Sequence, residues 1–119
     1  MILVDTSVWI DHLRSGDKAL DQALTEGDVL MHPFVLGELA CGNIRNRGEI
    51  LDLLRQLPSA REATDEEAHT FIDRRRLMGR GIGYIDVHLL AAAALTPSAR
   101  LWTRDRRLAR IASELGVGS

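Results

Sequence analysis

The chain is poor in cysteine. Cys41 is the only one among 119 residues, so no intramolecular disulfide bond can form. A single thiol is typical of a protein that works in a reducing cytoplasm, and we expect that location. No apolar run approaches the roughly 20 residues that a membrane-spanning helix needs. The first residues also lack the basic segment and cleavage site of a signal peptide, so we expect neither secretion nor membrane association.

Two common functional motifs are also missing. The histidines show no paired spacing and one cysteine cannot complete a set, so the sequence does not indicate a zinc site. We expect packing or surface roles for all of them: His12, His32, His69 and His88. No P-loop or dinucleotide-binding fingerprint is present, because Gly79, Gly81 and Gly83 follow a predicted helix and have the wrong spacing.

The charges nearly balance, with 15 basic and 17 acidic side chains and a formal net charge of -2. This balance on its own does not favour nucleic acid. Most basic residues are arginines in three clusters: Arg45 and Arg47; Arg74–Arg76 with Arg80; and Arg104, Arg106, Arg107 and Arg110. Arginine binds phosphate through two parallel hydrogen bonds, so the clusters could follow a nucleic-acid backbone. A solvated, ion-paired surface is the alternative.

Apolar residues make up 45% of the chain, enough for the core of one compact domain. Short apolar runs predict strands at 2–4, 29–31 and 101–103, with a weak edge strand at 61–63. Helices are predicted after the capping residues Thr6 and Ser7 and at about 20–27, 33–41, 50–57, 65–78, 85–95 and 108–115. The alternation predicts a single α/β domain over residues 1–119, with three α/β/α layers and a mostly parallel central sheet.

Four acidic residues lie at or near the ends of these elements: Asp5, Glu38, Asp86 and Asp105. Asp5 ends the first strand, and ligands of open parallel sheets bind beyond the carboxyl ends of strands. Asp105 follows the last strand, and Asp86 opens an apolar helix. Glu38 is expected close to the buried face of its helix, where an unpartnered carboxylate would be costly.

Each of these acids also has an ordinary structural explanation. Asp5 could start a turn, and Glu38 could be a surface residue. Asp86 and Asp105 could have the purely structural role of stabilising the first turn of a helix. Together they favour a functional cluster, because crowded carboxylates repel one another and a hard cation such as Mg²⁺ or Mn²⁺ relieves the repulsion. We expect Thr103 to orient Asp105 or a bound water.

In these motifs the chain resembles a PIN-domain ribonuclease, and specifically the VapC toxins of bacterial toxin–antitoxin pairs. The resemblance covers essentially the whole chain and is carried by four segments: Ile2-Leu3-Val4-Asp5-Thr6-Ser7-Val8-Trp9-Ile10, Glu38-Leu39-Ala40-Cys41-Gly42, Asp86 followed by Leu89-Leu90-Ala91-Ala92-Ala93, and Leu101-Trp102-Thr103-Arg104-Asp105. One departure is that residues 116–119 leave little room for the short last strand that such proteins usually carry.

The resemblance implies an endoribonuclease with one or two Mg²⁺ or Mn²⁺ ions. Asp5, Asp86 and Asp105 would hold the metal, and Glu38 would complete a second site or orient the attacking water. The resemblance also implies an RNA substrate, a homodimer, a small cognate antitoxin that covers the site, and operator DNA bound only through that antitoxin. Arginines at the rim, such as Arg14, Arg45 or Arg104, would attract the RNA backbone.

Two other functions compete with this hypothesis. The chain could be a non-catalytic subunit of a toxin–antitoxin pair that acts in partner binding and operator repression, although the complete set of four acids argues against lost catalysis. A phosphatase with an aspartate nucleophile is the second rival. Enzymes of the haloacid dehalogenase type need a second aspartate two residues after the first, and this chain has Ser7 there.

Overall fold

A computed structural model describes residues 1–119, and its centre is a parallel sheet of three short strands. The strands are β1 (Ile2–Val4), β2 (Val29–Leu30) and β3 (Arg100–Trp102), in the order β2-β1-β3. Single parallel bridges lengthen the sheet at both edges, from Met31 to Ser59 and from Leu101 to Gly118. The first strand therefore occupies the middle of the sheet.

Seven helices connect and cover these strands. They are α1 (Thr6–Ser15), α2 (Lys18–Thr25), α3 (Pro33–Ala40), α4 (Arg47–Arg55), α5 (Asp65–Arg75), α6 (Tyr84–Leu95) and α7 (Arg106–Glu114). Right-handed crossovers place α1–α4 over one face of the sheet and α5–α7 over the other. The helix pairs in contact agree with this division, since α1 packs on α3, α3 on α4, and α5 on α6. The predicted α/β fold with three layers is confirmed.

The sequence patterns account for most of these elements. Leu3 and Val4 are both fully buried although they point to opposite faces, as expected of a central strand covered on both sides. Helix α6 is apolar almost all round and buries every residue from Val87 to Ala93. The predicted capping box also forms, because Thr64 accepts from the amide of Glu67 and Glu67 accepts from the amide of Thr64.

The predicted edge strand at 61–63 is absent. Pairing with the sheet is confined to one bridge, in which Met31 donates to Pro58 O (2.8 Å) and accepts from Ala60 N (2.9 Å). The amide of Arg61 donates instead to Thr96 Oγ1 at 2.9 Å, which takes the chain out of the sheet. A side chain distant in sequence therefore ends this strand before it can extend.

Several element boundaries also differ from the sequence predictions. Asp5, and not Thr6 or Ser7, is the N-terminal capping position of α1. Helix α5 stops at Arg75, short of residue 78, because Arg76 adopts a left-handed conformation with φ of 53°. At the other edge, the amide of Leu101 donates to Val117 O (2.7 Å), and the last edge strand is reduced to the bridge at Gly118, in agreement with the little room expected for it. None of the helices is both long and apolar enough to cross a lipid bilayer.

His32 illustrates the predicted packing role of the histidines. It precedes α3, is 2% exposed, and accepts a hydrogen bond from the amide of Phe34 through Nδ1 at 3.0 Å. Burial lowers the pKa of His32 below its ordinary value of 6.5. As the pH falls, the unfolded chain therefore takes up a proton at His32 at a higher pH than the folded protein does.

We predict that the free energy of unfolding falls as the pH drops below about 6.5, partly through His32. The folded-state pKa is depressed, so this contribution is intact above pH 6.5 and is lost as the pH approaches the lower folded value. His32→Asn keeps an acceptor for Phe34 N but cannot titrate. Urea unfolding between pH 8 and pH 5 should show a shallower decline for His32→Asn, and parallel declines would contradict the prediction.

Candidate active site

Asp5 is the centre of the acidic site and follows directly on β1. Its side chain is 7% exposed, and its Oδ2 accepts hydrogen bonds from Ser7 Oγ (2.8 Å) and Thr103 Oγ1 (2.7 Å). Its Oδ1 accepts none from the protein. A buried carboxylate is costly unless it is hydrogen-bonded, so the two hydroxyls make this position tenable.

The register between β1 and β3 brings these groups together. Val4 pairs with Trp102, and the amide of Asp5 donates to Trp102 O at 2.9 Å. Asp5 is therefore level with Thr103 at the carboxyl end of the sheet. The chain leaves β1 toward one face and β3 toward the other, so the site lies where the strand order reverses, the usual place for a ligand in such folds.

Ser7 is a residue of the site that the sequence reasoning missed. Besides donating to Asp5, its Oγ accepts from the amide of Arg104 at 3.1 Å. Thr103 Oγ1 likewise donates to Asp5 and accepts from the amide of Asp105 at 3.1 Å. Thr103 therefore bonds both the carboxylate of Asp5 and the backbone of Asp105, and its role in orienting Asp105 or a bound water stays a prediction. A serine two residues after an aspartate is a familiar local hydrogen-bonding pattern and was the available signal for Ser7.

Asp105 caps the last helix. Its Oδ1 accepts from the amides of Arg107 (2.9 Å) and Leu108 (3.2 Å), which leaves Oδ2 without a donor from the protein. Asp105 is exposed at the mouth of the site. The helix-capping explanation is thus correct, and it leaves one carboxylate oxygen available.

Asp86 is the third residue of α6 and is partly buried. Its Oδ2 accepts from the amide of Gly83 at 3.1 Å, which ties it to the preceding turn. Burial raises the pKa of Asp86, and the negative charges of Asp5, Asp105 and Glu38 raise it further. The four predicted acids are therefore electrostatic neighbours, although they come from four separate segments.

Glu38 differs from the sequence expectation. Its side chain is exposed and not close to the buried face, while its neighbours Val35 and Leu39 are buried. Its Oε1 accepts a hydrogen bond from Thr6 Oγ1 at 2.7 Å, across the contact between α3 and α1. Glu38 therefore approaches the site from the solvent side.

A groove of about 470 Å³ between α1 and α3 extends from Glu38. Arg14 and Arg45 line it together with the exposed Ile10, and neither arginine makes an ion pair. These two arginines are therefore available at the rim, as the sequence predicted. A groove of similar volume between α5 and α6 contains none of the four acids.

Arg104 is not available in the same way. Its guanidinium binds Asp11 (2.6 Å) and Asp17 (2.6 Å), so its charge is already compensated. The amide of Leu20, and then the hydrogen bond and charge of Arg104, hold the pKa of Asp17 below its ordinary value. Arg104 is therefore less available to an RNA backbone than Arg14 and Arg45 are. It clamps the segment after β3 to the end of α1 and the start of α2.

The donor set of the site suits a hard divalent cation by its chemistry. All four ligand candidates are carboxylates, and Asp5 Oδ1 and Asp105 Oδ2 accept no hydrogen bond from the protein. As the side chains stand, no three of them converge closely enough to hold an ion. Hydrogen bonds to Thr6, Ser7, Thr103 and backbone amides hold the carboxylates at their present positions. The metal site stays a prediction.

Comparisons with known proteins agree with this architecture. Residues 2–114 match the family model described as PIN domain. The chain is also 49% identical over 117 residues to a protein named ribonuclease VapC32 from two strains of Mycobacterium tuberculosis, CDC 1551 and H37Rv. The alignment covers 98% of this chain and 94% of that relative.

We predict that Asp86→Asn stabilises the protein at neutral pH without divalent cations. The amide removes a partly buried charge that three other carboxylates repel, and its oxygen can still accept from Gly83 N. Solvent screening limits the gain to about 1 kcal/mol in the free energy of unfolding. Thermal unfolding checks this, with Asp73→Asn, an exposed residue of α5, as control. A lower melting temperature for Asp86→Asn would contradict the repulsion argument.

Proposed function

Because the chain belongs to the PIN-domain family, we propose that it is an endoribonuclease toxin. It hydrolyses RNA phosphodiester bonds with the help of a divalent cation and is neutralised by a cognate antitoxin. The observation that carries the proposal is the group of four carboxylates at the reversal point of a parallel sheet, where Asp5, Asp105 and Glu38 act electrostatically on the partly buried Asp86. The name ribonuclease of the 49% identical relative supports the same reaction.

The acids divide into metal ligands and a residue that acts on water. Asp5, Asp86 and Asp105 are the proposed ligands of one or two Mg²⁺ or Mn²⁺ ions, since the charges of Asp5 and Asp105 act on the partly buried Asp86. When bound, the cation supplies an activated water and neutralises the charge that develops on the phosphate. Ser7 and Thr103 keep Asp5 oriented by donating to Oδ2, so that Oδ1 faces the ligand side.

Glu38 is suited to positioning the attacking water. Thr6 donates to Oε1, which fixes the carboxylate while leaving Oε2 free to accept a proton or a hydrogen bond. Its exposure allows water and RNA to reach it. The adjacent groove with Arg14 and Arg45 offers positive charge for the RNA backbone, which the acids alone would repel.

The proposed partners follow from the same family assignment. We infer one nuclease domain over residues 1–119, acting in the cytoplasm on RNA, with a homodimer as the functional unit and operator DNA bound only through the antitoxin. Large apolar side chains on the surface, including Phe34, Tyr84 and Ile85, support an interface with another protein chain. The identity of the RNA depends on surface shape and not on the shared acids.

We predict that the purified, antitoxin-free protein cuts total cellular RNA at discrete positions in Mg²⁺ or Mn²⁺, and that EDTA stops the cutting. Asp5→Asn should reduce the rate by at least about 100-fold, because it removes a charged ligand candidate while keeping an acceptor for Ser7 and Thr103. Gel analysis of the cleaved RNA is the readout.

Asp11→Asn is the control for the loss of a negative charge near the site, since the exposed Asp11 carboxylate forms an ion pair with Arg104 and is not one of the four acids. It should retain most of the activity. A fully active Asp5→Asn protein would overturn the assignment of the site. Absence of cutting by the folded, metal-loaded protein would instead favour the non-catalytic role in partner binding and repression.

A further inference from the structure

Arg107 is a free guanidinium placed next to the acidic site. It is the second residue of α7, and its amide donates to the Oδ1 of Asp105 at 2.9 Å. Its guanidinium makes no ion pair and no hydrogen bond within the protein. Two other arginines nearby are already engaged, since Arg104 binds Asp11 and Asp17, and Arg80 binds Glu114 through two oxygens at 2.9 and 3.1 Å.

The Arg107 side chain packs closely on Gly81. A Cβ atom on Gly81 would lie 2.6 Å from Arg107 Nη1 and 2.9 Å from its Cδ, closer than real atoms approach. The φ angle of Gly81 is +81°, a conformation that favours glycine. Only glycine therefore lets the guanidinium rest on this turn.

The turn that carries Gly81 belongs to the acidic site as well. Two residues later, the amide of Gly83 donates to the Asp86 carboxylate at 3.1 Å. The ion pair between Arg80 and Glu114 fastens the same turn to α7. Arg107 thus extends from the segment of Asp105 to the turn that holds Asp86, with its charge uncompensated.

We propose that Arg107 binds a backbone phosphate of the RNA on the α7 side of the acidic site, and that Gly81 serves to present it. The inference rests on the proposed ribonuclease function. The carboxylates of the site repel phosphate, and fixed positive charge beside them strengthens the binding of an RNA backbone. Arg14 and Arg45 supply that charge on the Glu38 side, and Arg107 supplies it on the Asp105 side. The RNA strand then crosses the acids between these two positions.

The test measures RNA binding separately from cleavage. Asp5→Asn protein in Mg²⁺ is the parent, and the probe is a fluorescein-labelled single-stranded RNA of mixed sequence, followed by anisotropy over a series of salt concentrations. Arg107→Ala should weaken binding about tenfold, as expected for a charged hydrogen bond. The slope of log affinity against log salt should become shallower by about 0.7, the value for one phosphate contact on a single strand.

Arg110→Ala is the matched control, because Arg110 is exposed, makes no ion pair and lies one turn further along α7. It should leave affinity and slope close to those of the parent. Arg107→Lys should keep the salt slope but lose part of the affinity, since it keeps the charge and loses the planar fork. Equal affinities for the Arg107→Ala and Arg110→Ala proteins would overturn the proposed role of Arg107 and leave the proposed ribonuclease function standing. A parent that binds no RNA, with a wild-type protein that cuts none, would overturn both proposals.

A second prediction tests the support that Gly81 gives. Gly81→Ala should weaken RNA binding to the level of Arg107→Ala, because the methyl group displaces the guanidinium. Adding Arg107→Ala should then cause no further loss. Gly79→Ala is the control, since Gly79 also has a positive φ, +69°, but its added Cβ would contact nothing within 4 Å. Gly79→Ala should retain binding, with circular dichroism verifying the fold of each variant. Additive losses for Gly81→Ala and Arg107→Ala would contradict the coupling.

Discussion

The buried carboxylate of Asp5, held between two hydroxyl groups, is the interaction on which the rest of the site depends. A charge at the end of the central strand would destabilise the sheet without donors, and Ser7 and Thr103 provide them from α1 and from the end of β3. The same hydroxyls accept from the amides of Arg104 and Asp105. The position of Asp105 is therefore linked to that of Asp5 through a continuous set of hydrogen bonds.

The acidic and basic side chains of the protein are separated around this site. Negative charge accumulates at the carboxyl edge of the sheet, where burial and then the neighbouring carboxylates raise the pKa of Asp86. Arg104 lies beside this region but is directed outward to Asp11 and Asp17, where it stabilises the junction of α1 and α2. The acids are thus left without a protein cation of their own, and a divalent ion is the natural counter-charge. Arginines whose charge is free lie at the edges, where they can contact a polyanion.

Local sequence patterns predicted the helices and strands well where the interactions that define an element lie within a few residues of one another. The capping box at Thr64, the proline that begins α3 and the apolar run of β1 are of this kind. Two of the wrong predictions depend on partners far along the chain. The strand expected at 61–63 is replaced because Thr96 captures the amide of Arg61, 35 residues away. Glu38 was expected near the buried face from its neighbours, but Thr6 holds it at the surface.

The sequence by itself determined the fold class and the identity of the four acids, because hydrophobic periodicity, capping signals and the strand-end positions of Asp5 and Asp105 are local properties. Only the tertiary structure decided how these residues are used. Parallel pairing of β1 with β3 set Thr103 against Asp5, and the packing of α7 on the turn around Gly81 placed the Arg107 side chain against that turn. The same tertiary contacts engaged Arg104 and left Arg107 free. Such outcomes depend on distances between segments that are remote in sequence, and residue spacing along the chain carries no measure of those distances.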